Sequence, residues 1–392
     1  MALPGMRGTF DFTADQRPQN YREGIMVLAP RNGAPLYALT AAMRSEKVDD
    51  PIFHWWEEDL EMYALVIPLA QTAVQTVIPV AGLASRLKPG DNLMVGSSLE
   101  VITVTAVTTD TSITVLRAQG MAGTPQGTAA ATVVNENLVF IGSGYREGAP
   151  LPIATSYNPV KRSNACQIFR DPIEYTRTAL ATRLRTGDIR KEDRRRALHK
   201  HSLGIERAFW FGTMTETLEA GQPKRSTRGV LNSIPAANIQ TVQGAGGKST
   251  MDELMSYFPR MFEFGSPEKL GFANLATITA LGEIVRKNSM YEWGPSEEEY
   301  KMRVRRLHTP SGTLVLAEHP GFNNSALNTS LVVVDTDELK YKYILDTTLL
   351  SDREQKGVDG EAEEYITEAG LLIGMPRKHF WLRGLTGGAK DA

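Results

Sequence analysis

Three stretches of this chain carry side chains dense enough to do chemistry. The first, FHWWEEDLE, runs from Phe53 to Glu61 and sets aromatic rings directly beside acids. Carboxylates this close invite general acid–base work. Catalysis or metal binding there needs a histidine or a further carboxylate converging from elsewhere. The competing reading is a docking surface, with Phe53, Trp55, Trp56 and Glu57 as an aromatic anchor and its acidic rim. The second stretch, VQGAGGKST (242–250), ends like a phosphate-binding loop in Gly247-Lys248-Ser249. That motif needs a glycine five residues before the Gly-Lys pair, and position 242 is Val. The segment makes better sense as a linker into a helix, with Thr250 as N-cap and Glu253 completing a capping box. The third, Gly142, Gly144 and Gly148, is spaced one residue too long for a dinucleotide fingerprint and reads as a turn.

No further catalytic set assembles. The six histidines are dispersed, and His199 and His201, two apart on a helix, point to different sides. The lone Cys166 excludes an intrachain disulfide framework and a cysteine-based zinc site. There is no HExxH and no serine elbow. The residues therefore assign no catalytic group, no cofactor and no metal.

The elements that could position a site centre on one helix. Arg190 to Met214, entered through the breaker Gly187-Asp188, has helical periodicity throughout. Ala197, Leu198, His201, Ile205, Ala208 and Phe209 share one face. Arg195, Arg196, His199, Lys200, Glu206 and Arg207 lie on the other. A solitary helix of this length is marginal in water, so the apolar stripe needs a cover. Leu203 and Trp210 fall among the charges, and an outward Trp on a basic face marks a second surface for another subunit.

The chain has 392 residues and a net charge of −2, so it is no polycation, and attraction to phosphate must come from one patch. Val66 to Ala84 is the most apolar long run, but Pro68, Gln71, Gln75 and Pro79 interrupt it and exclude a membrane span. No secretory signal pattern opens the chain. Met1 to Pro51 lacks a sustained period and reads as an extended arm ordered by what it lies on. Tyr63 to Val80 reads as strands, and a compact β-rich insertion is expected after it over 81–141, with strands at 93–95, 101–107, 112–118 and 133–141 and a hairpin turn at Thr109-Asp110. Strand character resumes over 167–184. A basic loop is expected at 222–229, helices over 251–262 and 275–287, and a turn at Thr309 to Gly312. Strands follow at 331–335, 340–345, 367–374 and 379–385. Ser351 to Glu364 reads as a polar loop or hairpin tip, and 387–392 as a fraying end.

The serial order of FHWWEED (53–59), PGDNLMV with ITVTAV and SITVLRAQG (89–120), QIFRDPIEYTRTA (167–179), ERAFWFG (206–212), STRGVLNSI (226–234), HTPSGTLVLAEHP (308–320), VVVDTDELKYKYI (332–344) and ITEAGLLIGMPRKHFWLRGL (366–385) resembles the major capsid proteins of tailed bacteriophages. These have the Hong Kong 97-like fold, and the likeness is to a branch with a β insertion near the extended loop. The resemblance implies an α+β chain with an N-terminal arm (1–52) and an extended loop region (53–165) holding the insertion. It further implies a peripheral domain (166–235 and 341–392) built on a spine helix at 189–214, and an axial domain (236–340). The function implied is self-assembly into the icosahedral head around double-stranded DNA, in the virion, after assembly in the bacterial cytoplasm. The partners implied are copies of the chain in hexamers and pentamers, a separate scaffolding protein, a portal, a decoration protein and packaged DNA, with no membrane. Arg195, Arg196, Lys200 and Arg207 would face the lumen and meet phosphate without base reading. Phe53, Trp55, Trp56, Glu57 and Trp210 would dock between subunits. Three alternatives stand beside this: an encapsulin-like nanocompartment shell, a nucleotide-binding enzyme using 244–250, and a DNA-binding module using the long helix with Lys224 to Arg228.

Overall fold

The computed structural model describes residues 43–58, 64–81, 84–152, 154, 158–182, 188–288, 293–299, 302–323 and 327–389. Most of the expected arm, residues 1–42, lies outside the described residues. The chain is α+β and divides into two compact units: residues 56–161, and residues 1–55 with 162–392.

The 56–161 unit is one six-stranded antiparallel sheet. Its order is Ala64–Ile67, Glu136–Ser143, Asp91–Val95, Val101–Thr109, Ser112–Leu116 and Val77–Pro79. The two edges almost meet, because the Ala81 amide donates to the Val66 carbonyl at 2.8 Å, so the sheet is a nearly closed barrel. Closure hides most of the unpaired edge. Pro79, which has no amide to give a ladder, sits on an edge strand as expected. Alternation at period two turns Leu65, Ile67, Ile78, Leu93, Val95, Ile102, Val104, Ile113, Val115 and Leu138 inward. The turn Asp110-Thr111 closes the expected hairpin, with Thr109 opposite Ser112. Two strands that the sequence left outside the insertion, at 64–67 and 77–79, supply the edges of this barrel. Their apolar runs do not alternate cleanly enough to separate from the stretch before them.

A buried ion pair braces one end of the barrel. Glu100 is fully buried; its carboxylate accepts from Arg117 Nε at 2.8 Å and Nη2 at 2.6 Å, and from the amides of Ala118 and Ala130 at 3.0 Å. Arg117 also donates to the carbonyls of Thr72 and Gln75 at 3.1 and 3.3 Å. Burial alone would raise the Glu100 carboxyl. Arg117, the two amides and the guanidinium charge together hold it below the ordinary carboxylate value.

The second unit holds two larger sheets. A four-stranded sheet runs Arg44–Lys47, Leu339–Leu350, Gly360–Ile373, Gln167–Thr176, with the first pair parallel and the others antiparallel. A seven-stranded mixed sheet runs Ile239–Thr241, Phe380–Arg383, Leu331–Val334, Glu268–Ala273, Gly312–Glu318, Met302–Thr309, Trp293–Glu299. Its middle is covered on both faces, so Leu331 to Val334 is apolar without alternation. Leu331 and Val333 meet the helices Met251–Met261 and Leu275–Asn288. Val332 and Val334 meet the end of the long helix, Ile189–Phe211.

Several local expectations change. The long helix stops at Phe211 rather than Met214. A Cβ at Gly212 would lie 2.4 Å from the carbonyls of Ala208 and Thr227, so the chain turns there where only glycine fits. Residues 222–226 form a strand, not a loop, paired with Thr215–Glu219 in a hairpin turned at Ala220-Gly221. Arg177–Ala181 is a short helix inside the stretch read as strand. The acidic segment is the expected hairpin tip over 351–359, but from Gly360 onward it is a strand. Gly387 and Gly388 do not fray but pair in parallel with Lys248 and Ser249.

Candidate functional site

Asp188 caps the long helix, accepting from the Arg190 amide at 2.9 Å. From there the helix is held in two different ways. Its first turns meet the four-stranded sheet chiefly through charge, with Ile189 and Ala197 packed on a small cluster of Ile173, Tyr175 and Tyr365. Arg194 Nε donates to Glu363 at 2.7 Å, Arg190 pairs with Glu361, and the neighbouring Arg170 grips Glu364 at 2.6 Å. The Arg194 guanidinium holds the Glu363 carboxyl below its ordinary value. At the middle, buried His201 places Nδ1 2.9 Å from Asp171 and Nε2 2.7 Å from the Thr367 hydroxyl.

The last turns are packed in a hydrophobic core. Ile205, Phe209 and Trp210 join Phe272, Val315, Ala317, Phe322, Val332 and Val334. Trp210 meets Phe272, His319 and Phe322 edge-on, with centroids 5.1 to 5.3 Å apart. Beside them Glu206 Oε1 lies 2.6 Å from His319 Nε2, both side chains buried. His319 Nδ1 accepts from the Gly321 amide at 3.0 Å, while the close Glu206–His319 contact lacks the angles of a hydrogen bond.

The expected outward Trp210 is therefore corrected, because its ring has no solvent exposure and cannot dock another subunit. Glu206, placed on the charged face, is buried too. Leu198, placed on the apolar face, is 38% exposed. The wheel assumed one cover for one face. The four-stranded sheet and the corner around Phe322 instead cover the last turns from two directions, and neither reaches Leu198.

The four expected phosphate-facing residues are exposed along the helix. Three are already paired: Arg195 with Glu192 at 3.0 Å, Arg196 with Asp193 at 3.2 Å and Lys200 with Asp171 at 3.0 Å. Among the described residues Arg207 has no ion-pair partner. The FHWWEED stretch is the strand Ile52–Glu57 and does not form one surface. Phe53 is buried and stacks on half-buried Trp55 at 6.1 Å, Glu57 is buried, and Trp56 stands out at 64% exposure. Glu58 is exposed, while Asp59 to Glu61 lie outside the described residues.

The phosphate-loop look-alike is closed on itself. Lys248 and Ser249 are strand residues, and Thr250 caps the next helix by accepting from the Glu253 amide at 3.2 Å. The Glu253 carboxylate accepts from the Gln243 amide at 2.6 Å, in place of the reciprocal bond of a full capping box. Among the described residues no cluster of three or more histidine, cysteine or acidic side chains could hold a metal.

Sequence reasoning missed a buried polar knot. Lys269 Nζ donates to the carbonyls of Met261, Phe264 and Lys378 at 2.8, 2.7 and 2.6 Å, and burial pulls its amine down to about 8. His379 is fully buried and lowered to about 4 by that burial; its Nδ1 accepts from the Asp335 amide at 3.2 Å. A lysine inside the apolar run EKLGFA was the available signal. The knot ties the end of one helix to two strands and is built for anchoring.

Salt bridges at one end of the long helix and an aromatic cluster at the other fasten it in place, and comparison with known proteins gives the family. The major capsid protein of Pseudomonas phage PaMx41 is 24% identical over 352 residues, 86% of this chain and 82% of that one. The capsid of an empty GTA particle shares the fold, with a TM-score of 0.51 at 11% identity over 99% of this chain and 100% of that chain. Mycobacterium phage Cain gives a TM-score of 0.47 at 10% identity over 99% of both. A family model described as SU10 major capsid protein matches residues 6–386. The chain thus belongs to the SU10 major capsid protein family, a structural protein without a catalytic role that self-assembles into the icosahedral shell around a tailed phage's double-stranded DNA.

Proposed function

We propose that in the shell the long helix turns its outer face to the lumen, with Arg195, Arg196, Lys200 and Arg207 toward packaged DNA. The observation that carries this reading is the pairing pattern on that face. Three of the four cations are offset by acids within one side-chain length, and Arg207 is left over. Such a face offers phosphate a weak, sequence-blind attraction. A lining that gripped DNA would oppose both filling and release. Residues 1–52 act as the arm, 53–165 as the extended loop region, 166–235 with 341–392 as the peripheral domain and 236–340 as the axial domain. Trp56 is the docking residue that stays outside on its own subunit, with Trp55 half available. Scaffold, portal and decoration proteins are separate partners.

The test replaces Arg195, Arg196, Lys200 and Arg207 together by Gln. Shells of normal size should form, and DNA retention in filled particles should lose part of its salt dependence. Normal salt dependence would remove the lumen assignment. Failure of the unaltered chain to form shells, with or without a scaffold, would instead count against the self-assembly reading.

A further inference from the structure

The barrel unit carries a face that its own folding does not need. Its interior is already filled by alternating residues. Yet Leu69, Val74, Val77, Leu116, Val133 and Val134 are all exposed, Val74 at 86%. Pairing makes them neighbours. Val77 faces Thr114, which sets Leu116 two residues along on the same outward side, and the Val115 amide donates to the Thr76 carbonyl at 2.8 Å. The bridge between Gln71 and Thr132 sets Leu69 opposite Val134. Arg117 pins the carbonyls of Thr72 and Gln75, which fixes the turn carrying Val74. Leu69, Val74 and Val77 thus follow one another along a strip tied to the barrel at Gln71, Thr72 and Gln75.

Its charge is as telling as its apolarity. Residues 62–85 hold no Asp, Glu, Lys, Arg or His, and neither do residues 118–135. These are the two stretches that the Gln71–Thr132 bridge joins. Large exposed apolar patches mark binding surfaces, and the centres of such surfaces are depleted of charge. A surface without charge also meets its own copy without like-charge repulsion, which is the condition for a two-fold contact in which a patch packs on itself. A polyanion or an oppositely charged partner protein would find nothing here to hold. The chain is a self-assembling one, so copies of the strip are always at hand.

We propose that this strip is a barrel-to-barrel contact, in which the uncharged face of one copy packs on the same face of a second copy in the shell. The proposal rests on the self-assembly of the family. Burial of the strip between two copies removes exposed valines and leucines from water, the same driving force that fills the barrel.

The test uses full-length chain assembled into shells. Val74→Cys, treated with a short bismaleimide, should yield covalent dimers in shells and none in dissociated subunits. Glu147→Cys, beyond the opposite end of the strand Glu136–Ser143, should not. Shells that form normally with no Val74 dimers would overturn the proposal and leave the capsid role intact. Equal dimers from both positions would overturn it as well, since crowding would then explain them. Cross-links to a different protein would also overturn it. As a second measure, Val74→Glu should leave the melting of the isolated subunit unchanged, because the side chain is exposed there, and should destroy or weaken the shell. Shells of unaltered stability from Val74→Glu would sink the contact.

Discussion

The long helix has two halves that share one backbone geometry and differ in what fastens them. From Arg190 to Lys200 it is fastened mainly by cation–carboxylate pairs with water at hand, over a small apolar contact of Ala197 with Ile173, Tyr175 and Tyr365. From Ile205 to Phe211 it is fastened by buried rings and branched chains. Apolar burial is not screened by added ions and changes little with pH. Partly exposed ion pairs are screened by salt, and each contributes little. One half is thus an anchor and the other an adjustable clasp.

Removing the anchor's largest member should give the largest effect. Trp210→Ala empties a site walled by Phe272, His319 and Phe322, and should cost about 3–5 kcal/mol. Denaturant unfolding of the unassembled chain would measure it. A loss smaller than that of any single clasp residue would break the comparison. Next comes Glu206→Ala. It removes a buried carboxylate that packs 2.6 Å from His319 Nε2 beside the aromatic cluster, and should cost about 1–3 kcal/mol. Glu206→Gln keeps the packing volume there and should recover much of the loss.

The two halves were not equally legible. The acidic strand Gly360–Ile373 and the basic first turns could be found separately, yet nothing local says that Arg190 and Arg194 meet Glu361 and Glu363, which lie far along the chain. Thr250 as a helix cap was readable, because capping depends on residues within one turn, whereas Asp188 was read only as a breaker and proves to be the cap of the long helix. Burial of Trp210 was not. A wheel fixes angles about the axis but does not count how many neighbours surround it. The barrel's strands were readable, those within 63–80 included, while the place of 64–67 and 77–79 at its edges and the Glu100–Arg117 brace depend on closure, a non-local fact. The tail pairing of Gly387 and Gly388 was illegible for a related reason, since glycines carry no pattern and their partner strand is Lys248-Ser249.

The third prediction sharpens the clasp. Arg194→Ala should cost about 1 kcal/mol, because Arg194 is partly exposed although Glu363 is buried. It should also change the acid limb of stability. Arg194 lowers the folded Glu363 carboxyl below its ordinary value of 4.5. That contribution is present above the unfolded value and is lost as pH falls through the folded one. The unaltered chain should therefore weaken on acidification below the ordinary carboxylate range, and Arg194→Ala should weaken less over the same interval. Parallel acid curves for the two proteins would show that the pair is only spectator geometry.

The smallest effect separates pairs that join elements from pairs that stay on one. Arg196 reaches Asp193 one turn away on the same helix, with its side chain about half exposed. Such a pair steadies the helix but fastens it to nothing, so Arg196→Ala should cost only about 0.3–0.5 kcal/mol. Added salt should shrink that further, whereas the Trp210→Ala loss should stay where it is. If Arg196→Ala matched Arg194→Ala in cost and in salt response, position on the helix would not matter and the clasp would be a diffuse charge effect. A clear gap between the two arginines, only two residues apart in sequence, would instead locate the clasp in the bonds that cross to Gly360–Ile373.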